Sequence, residues 1–147
     1  MRFLGLDVGS VRIGVAMSDE TGLIAQGLTT LERIGWKKDL GRIVELIRTH
    51  GIGMVVVGNP LNLDGSTGQQ TEIIQEFVLR LKEFSPVEVS LWDERLSSVS
   101  AERVLIEGGM QRGRRKPLID KLAAVIFLQN FLDHRNQSPA KGLGEPQ

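Results

Sequence analysis

The sequence contains no cysteine, and this absence excludes two kinds of architecture. Without thiols the chain has no disulfide framework, and a metal site would have to use ligands other than thiolates. The sequence also lacks any apolar run near the roughly 20 residues that a membrane-spanning helix needs. Its first residues lead directly into a predicted strand without a signal-peptide pattern, so we expect a cytoplasmic protein with no membrane association.

A net charge is also absent, because 18 lysines and arginines balance 18 aspartates and glutamates. A protein that binds nucleic acid through its overall charge is ordinarily basic. The cations are unevenly distributed, however, and a local basic cluster can bind phosphates without a basic total. Such a cluster is formed by Arg112, Arg114, Arg115 and Lys116.

The hydrophobic pattern predicts one α/β domain over residues 1–134 of the 147, followed by a disordered polar tail at 135–147. Short apolar runs separated by turn residues predict strands, and apolar residues at helical spacing predict helices. The predicted strands are 2–8, 12–18, 23–30, 54–58 and 87–92. The predicted helices are 37–50, one ending near 83 with Ser66 or Thr67 as its cap, 99–107, and 117–134 after a flexible basic segment.

This order of elements predicts one mixed sheet with helices on both faces. Right-handed crossover connections would place the fourth strand beside the first, which gives the strand order 3-2-1-4-5. Ligands of open sheets bind beyond the strand ends where the connections diverge. We therefore expect the site between the ends of the first and fourth strands.

Asp7 is a carboxylate in the middle of an apolar strand, on the face that also carries Phe3 and Gly5. We expect the glycine to leave open space beside it. Burying a charge is costly unless a cation or a set of hydrogen bonds compensates it. Two interpretations stay open from this segment: Asp7 binds a metal or a cationic partner, or it binds nearby backbone or pairs with Arg12.

Further acids follow at two distant positions, Asp93-Glu94 after the fifth strand and Asp120 near the start of the last helix. Asp120 shares a helical face with Ala123, Ala124 and Phe127, and the small alanines would let this helix approach the sheet closely. Oxygen ligands without histidine or cysteine suit Mg²⁺ or Mn²⁺. Such ions activate water for phosphodiester hydrolysis.

Two segments are suited to binding phosphates. The loop 59–68 leaves a strand and opens a helix, so it offers backbone N–H groups and hydroxyls at a positive dipole end. The segment 108–116 is cationic and precedes Asp120. We predict nucleic-acid contacts at Arg12, Asn59, Ser66, Thr67, Arg95, Arg112, Arg114, Arg115 and Lys116.

Four collinear motifs resemble the YqgF family, also known as pre-16S rRNA or Holliday-junction nucleases. They are the stretch 7–16, Gly58-Asn59-Pro60-Leu61 with Asp64-Gly65-Ser66, Asp93-Glu94-Arg95-Leu96-Ser97, and Lys116 with Ile119-Asp120-Lys121-Leu122-Ala123-Ala124. The resemblance implies an RNase H-like fold related to RuvC resolvases. It also implies a nuclease with Asp7, the Asp93-Glu94 pair and Asp120 as catalytic acids. Of these we favour Asp7, Glu94 and Asp120 as the metal ligands.

The resemblance further implies 5′-end processing of pre-16S rRNA, with structured RNA and precursor ribosomal particles as partners. The alternatives are a Holliday junction resolvase and a non-catalytic RNA-binding module of ribosome assembly. Asp120 has no second acid within the next helical turn, unlike the RuvC pattern, and this departure favours RNA over junctions. A resolvase would need a two-fold dimer, whereas we expect a monomer or a weak dimer. A nucleotide-binding fold of the actin type would need a second domain, for which the chain is too short.

Overall fold

A five-stranded sheet organises the chain. The structure is a computed structural model that describes residues 1–59, 69–93 and 112–137, with the backbone alone at 59, 69–71, 93, 112–120 and 137. Its strands are β1 (Arg2–Val8), β2 (Arg12–Ser18), β3 (Ala25–Glu32), β4 (Ile52–Asn59) and β5 (Glu88–Asp93). Its helices are α1 (Trp36–His50), α2 (Gln69–Phe84) and α3 (Arg112–Gln137). Within these ranges no helix is long and apolar enough to cross a membrane.

The strand order is β3-β2-β1-β4-β5, as the sequence predicts. The first three strands form an antiparallel meander, whereas β4 runs parallel to both β1 and β5. Parallel neighbours need crossover connections, and α1 and α2 lie in the two connections that enter β4 and β5. The strand β1 is therefore central, with one antiparallel and one parallel partner.

Alternation along β1 divides the core between the two faces of the sheet. Leu4, Leu6 and Val8 are buried in the cluster that α1 and α2 cover. Phe3 is buried in a second cluster, together with side chains of α3. Strand alternation places Gly5 and Asp7 on the same face as Phe3, so Asp7 lies on the α3 face.

Small residues on the sheet form the contact surface for α3. Gly5, Ala16 and Gly27 are neighbours across β1, β2 and β3. A Cβ atom on Gly5 would lie 3.0 Å from Cβ of Leu128, and one on Gly27 would lie 3.0 Å from Cγ and Cδ of Lys121. The expected open space beside Gly5 is therefore wrong, because Leu128 of α3 fills it.

The boundaries of β1 and β2 match the predicted ones, but β3 begins at Ala25 rather than at Leu23. The reason lies in Asp19, whose Oδ1 accepts the N–H groups of Leu23 and Ile24 at 2.9 and 3.0 Å. These two residues are thus held in the β2–β3 turn. Gly51 ends α1 in the left-handed conformation at φ 63°, as predicted for a C-cap glycine.

The last helix is longer at both ends than predicted. It begins at Arg112, so the basic cluster lies in its first turns rather than in a flexible segment, and Pro117 lies within it. Arginine and lysine are good helix formers, and a proline is best tolerated near a helix start. At its other end α3 continues to Gln137, because Asn136 Nδ2 donates to Gly22 O at 3.0 Å and Arg135 stacks on Phe3.

The tail predicted at 135–147 is therefore wrong for residues 135–137, which belong to α3. Residues 138–147, the loop 60–68 and the predicted helix 99–107 lie outside the described residues.

Candidate active site at the end of the first strand

Asp7 lies near the carboxyl end of β1, half-buried, on the face of the sheet that α3 covers. Its cross-strand partner in β2 is Gly14. On its other side, Gly58 follows Val57, which is the partner of Leu6 in β4. Both strand neighbours at the level of Asp7 are therefore glycines and contribute no side chain. Neither adjacent strand therefore places a side chain directly beside the carboxylate.

The helix α3 crosses this same face. Ala123, Ala124, Phe127 and Leu128 are fully buried against the sheet, which confirms that the small alanines let the helix approach closely. Asp120 belongs to α3, four residues before Ala124. The structure thus brings the strand of Asp7 and the helix of Asp120 together on one face. The side chain of Asp120 is outside the described part, so a metal site shared by Asp7 and Asp120 stays a prediction.

The predicted pair Asp93-Glu94 follows β5. Asp93 is the last residue of that strand and pairs with Asn59. Trp92, just before it, packs against Phe131 and His134 of α3, with ring centroids 5.4 and 5.0 Å apart. Trp92 is therefore on the same face as Asp7. Glu94 lies outside the described residues.

The predicted nucleic-acid contacts are described only in part. Arg12 is half-buried at the start of β2. It forms an ion pair with Glu32 of the neighbouring strand β3, with Nε of Arg12 3.4 Å from Oε2 of Glu32. Its carbonyl also accepts the N–H of Gly9 at 2.8 Å, which closes the β1–β2 turn. Ser66, Thr67 and Arg95 lie outside the described residues, and for Asn59, Arg112, Arg114, Arg115 and Lys116 the structure describes the backbone alone.

Two other aspartates are already engaged in hydrogen bonds that stabilise the fold. A hydrogen bond from the Thr21 hydroxyl, with two more from the N–H groups of Ile24 and Leu23, lowers the pKa of Asp19 well below its usual range. Burial alone would raise the pKa of Asp39, but hydrogen bonds from Ile34 N–H, Arg33 and Arg42 outweigh it and lower that pKa. Neither carboxylate is arranged to bind a ligand.

Among the side chains that the structure describes, no group of three or more histidine, aspartate or glutamate residues could hold a metal ion. A metal site at Asp7 would therefore need ligands whose side chains lie outside the described ones, and the predicted acids at 93, 94 and 120 are such residues. Its ligand set would be carboxylate alone, because His134 packs on Trp92 and His50 ends α1 on the far side of the sheet.

The pairing of Asp39 with Arg33 is a feature that was not predicted from the sequence. Asp39 is completely buried near the start of α1, and Arg33 precedes that helix. A signal existed, because Asp39 is spaced four residues from Ile43 and eight from Ile47 on the buried face of α1. An acid at such a position predicts a buried partner.

A wide groove lies on the opposite face of the sheet. It encloses about 920 Å³ between α1 and α2, and its lining includes Trp36, Leu40, Gly41 and Phe84. The groove is therefore separated by the sheet from Asp7.

Residues 1–134 match a family model described as RuvX, Holliday junction resolvase. A protein of Thermoanaerobacter pseudethanolicus is 52% identical over 134 residues, which cover 90% of this chain and 96% of that protein. A protein of Bacillus cereus strain G9842 is 47% identical over 137 residues, which cover 92% of this chain and 100% of that protein. Both are provisionally named pre-16S rRNA nucleases.

Solved structures with the same fold include RuvC of Thermus thermophilus in complex with a Holliday junction substrate. The TM-score is 0.58 at 18% identity, over 94% of this chain and 97% of that chain. The fowlpox virus resolvase with junction DNA gives a TM-score of 0.53 at 12% identity, over 92% of this chain and 99% of that chain. These similarities concern the fold, which is the RNase H-like fold of the resolvases.

Proposed function

This chain belongs to the family of the RuvX resolvases, and from that membership we propose that it is a metal-dependent nuclease that processes pre-16S rRNA. The observation that carries the proposal is the position of Asp7. It is a half-buried carboxylate on a central strand, between two glycine positions, on the face that α3 crosses. A carboxylate in such surroundings suits a cation better than a purely structural role.

In this proposal Asp7, Glu94 and Asp120 hold Mg²⁺ or Mn²⁺. Carboxylate oxygens are the hard ligands that these ions prefer, so the donor set fits the group. Such an ion, when bound, lowers the pKa of water and stabilises charge on the phosphodiester oxygens. The chain itself contributes the rigid strand under Asp7 and the close packing of α3, which would hold Asp120 near it.

The contact of Trp92 with α3 supports Glu94 over Asp93 as the third ligand. Successive residues of a strand point to opposite faces. Because Trp92 is on the α3 face, alternation favours the opposite face for Asp93. The same alternation favours the α3 face for the next residue, Glu94. Glu94 would then share a face with Asp7. Asp93 is kept as the alternative, and exchanging each for its amide would distinguish them.

The basic cluster is the proposed phosphate-binding segment. Its four cations fall in the first turns of α3, in the same helix as Asp120 and within eight residues of it. A backbone that contacts these residues would therefore lie beside the proposed metal site. With Arg12, Asn59, Ser66, Thr67 and Arg95 they form the proposed contact surface for structured RNA in precursor ribosomal particles, which implies a cytoplasmic location.

A second candidate function is resolution of DNA junctions, which the description of the family favours. The relatives of 52% and 47% identity carry names that refer to pre-16S rRNA, and we therefore rank RNA first. A resolvase must cut two strands symmetrically and requires a stable two-fold dimer. We propose a monomer or a weak dimer instead. A non-catalytic RNA-binding module is the remaining alternative.

The test compares two substrates under one set of conditions. The full chain is incubated with a precursor 16S rRNA fragment or a four-way DNA junction, with Mg²⁺ or Mn²⁺ and with EDTA, and its mass in solution is measured. We expect metal-dependent cleavage of the RNA by a species of monomer mass. Symmetric cleavage of junctions by a stable dimer, without activity on RNA, would favour the resolvase. Binding of RNA without cleavage would favour the non-catalytic module.

A further inference from the structure

Arg33 connects the β1–β2 turn, which follows Asp7, to the buried core. Arg33 follows β3, and its NH1 donates a hydrogen bond to the carbonyl oxygen of Gly9 at 2.9 Å. Its backbone N–H donates to Val11 O at 2.8 Å. Arg33 therefore bonds two residues of the β1–β2 turn, and Gly9 is two residues beyond Asp7.

Arg33 is itself held in place by a buried carboxylate. Its Nε donates to Asp39 Oδ2 at 2.9 Å, and the Asp39 side chain is completely buried. The Oδ1 atom of Asp39 accepts from Arg42 NH2 at 2.8 Å and from Ile34 N–H at 3.0 Å. Because both oxygens of the carboxylate accept hydrogen bonds, Asp39 is held in place and in turn orients the guanidinium of Arg33.

The guanidinium also lies against two aromatic rings. Its Cζ is 5.3 Å from the ring centroid of Trp36 and 5.7 Å from that of Phe77. Phe77 belongs to α2 and is fully buried in the core cluster between the helices α1 and α2 and the sheet. The rings restrict the arginine further, since a cation above an aromatic face is attracted to it. The Gly9 carbonyl is thus bonded to a donor that has little freedom to move.

We propose that Arg33 is a positioning residue for Asp7, acting through its hydrogen bond to the Gly9 carbonyl. This inference rests on the proposed function, in which Asp7 is a catalytic acid. A ligand carboxylate has to be held within a fraction of an ångström, and a shift of about 1 Å can cost about 100-fold in rate. The β1–β2 turn carries one end of the Asp7 strand, so fixing the turn fixes the position of that carboxylate.

A lysine at this position could not replace the arginine. The guanidinium presents several N–H groups in a rigid plane, and here two of them reach different acceptors. An ammonium group is a compact point charge at the end of a flexible chain. The variant Arg33→Lys therefore keeps the charge beside Asp39 but loses the simultaneous bond to Gly9.

The chain offers a matched control in Arg42. This residue also donates to Asp39, but its other partner is the carbonyl oxygen of Glu32 at 2.6 Å, and neither of these two bonds reaches Gly9 or Val11 of the turn. Arg42→Lys weakens the same buried carboxylate without touching Gly9. Both variants should lose stability to a similar degree, and only Arg33→Lys should loosen the turn.

The first readout is amide hydrogen exchange of Gly9, whose N–H donates to Arg12 O at 2.8 Å, measured by NMR without metal. We expect exchange to be at least about tenfold faster in Arg33→Lys and unchanged in Arg42→Lys, because the loss of one charge-assisted hydrogen bond suffices for that difference. The second readout is cleavage of the precursor RNA fragment. There kcat should fall about tenfold in Arg33→Lys with an unchanged KM, and remain near wild type in Arg42→Lys.

Equal exchange in the two variants would overturn the inference, and so would faster exchange of Gly9 without a fall in kcat. If Arg33→Lys does not fold, Asp39→Asn takes its place, since it keeps the guanidinium and removes the charge that orients it. That variant should show the same two effects at smaller size. A wild-type protein that cuts no RNA contradicts the proposed function, whereas equal exchange at Gly9 contradicts only the role of Arg33.

Discussion

Asp7 differs from Asp19 and Asp39 in the residues that surround it. Asp19 and Asp39 accept backbone N–H groups from the turns that they stabilise, and their pKa values are lowered for that reason. Asp7 instead lies at the level of glycines in both neighbouring strands, on the face crossed by the helix of Asp120.

Asp39 gives a prediction about stability and pH. Replacing it with asparagine should lower the free energy of unfolding at pH 7 by about 2 kcal/mol, because charge-assisted hydrogen bonds from two arginines are weakened. The pKa of Asp39 is lower in the folded than in the unfolded protein, so the unfolded state binds the proton first as the pH falls.

The difference between wild type and Asp39→Asn should therefore be complete above pH ~4 and decrease as the pH falls through the folded pKa. Urea unfolding of both proteins between pH 3 and 7 measures it. A difference that stays constant over this range would show that the charge of Asp39 does not contribute.

At the scale of residues, the position of Asp7 within β1 was predictable, because apolar residues alternate around it as in a strand. The burial of Asp39 had a signal in its spacing from two buried isoleucines of α1, but the identity of its partner Arg33 had none, and an acid in the first turn of a helix is ordinarily explained by the helix dipole. Arg33 and Asp39 are close in the chain, but Arg33 also bonds the carbonyl of Gly9 in the β1–β2 turn, on the other side of two strands in sequence. Such a contact depends on the tertiary arrangement, which local patterns do not contain.

The packing of α3 on the sheet gives a prediction at the scale of elements. Gly5→Val should destabilise the protein by about 1–3 kcal/mol, because its side chain would overlap Leu128 in a filled interface. It should also reduce cleavage by more than the loss of folded protein explains, since the helix of Asp120 would be displaced. Thermal unfolding and the RNA assay measure the two effects.

Gly41 provides the opposite control. It lies in the middle of α1, and a Cβ atom there would have no neighbour within 4 Å. Gly41→Ala should stabilise the protein by about 1 kcal/mol, because alanine is the better helix former, and should leave cleavage unchanged. If Gly5→Val were as well tolerated as Gly41→Ala, close packing of α3 would not be needed for the site.

The basic start of α3 gives a prediction about binding. Neutralising Arg112, Arg114, Arg115 and Lys116 should weaken RNA binding and flatten its salt dependence, by about 0.7 in the logarithmic slope for each phosphate that the variant no longer binds. Titrations at several salt concentrations measure the slope. Neutralising four exposed cations on the opposite sheet face, Lys37, Lys38, Arg48 and Lys82, changes the net charge equally. Equal slopes in both quadruple variants would show that the cluster binds no phosphate.

Element boundaries were predictable where local signals define them. The turn glycine and the alternating residues set β1 and β2, and Gly51 sets the end of α1. The start of β3 differs from the predicted one because the Asp19 side chain bonds two backbone N–H groups. The predicted start of α3 was placed at Pro117, because proline is typical of a first helical residue. This prediction was wrong, because the arginines before Pro117 already belong to the helix. The start of β3 thus depends on a side-chain hydrogen bond, and the start of α3 on the helix propensity of the residues before Pro117.

At the scale of the whole molecule, the strand order was predictable from connection rules alone. Hairpins join the first three strands, and right-handed crossovers leave little choice for the fourth and fifth. The two faces of the sheet then differ in their roles. One face carries α1, α2 and most of the buried core, whereas the other carries α3 and the candidate site. How the distant acids approach each other depends on α3 packing, which strand order does not determine.

The central claim is that Asp7 is a catalytic acid, and single-turnover cleavage of the precursor RNA by Asp7→Asn tests it most directly. Asparagine is nearly isosteric but lacks the charge. We expect RNA binding and thermal stability close to wild type and a rate at least about 100-fold lower, since even a residue that only supports a metal ligand can be worth that much. Asp133→Asn, which removes an exposed carboxylate elsewhere on α3, should cleave at the wild-type rate. Cleavage by Asp7→Asn at the rate of Asp133→Asn would contradict the account.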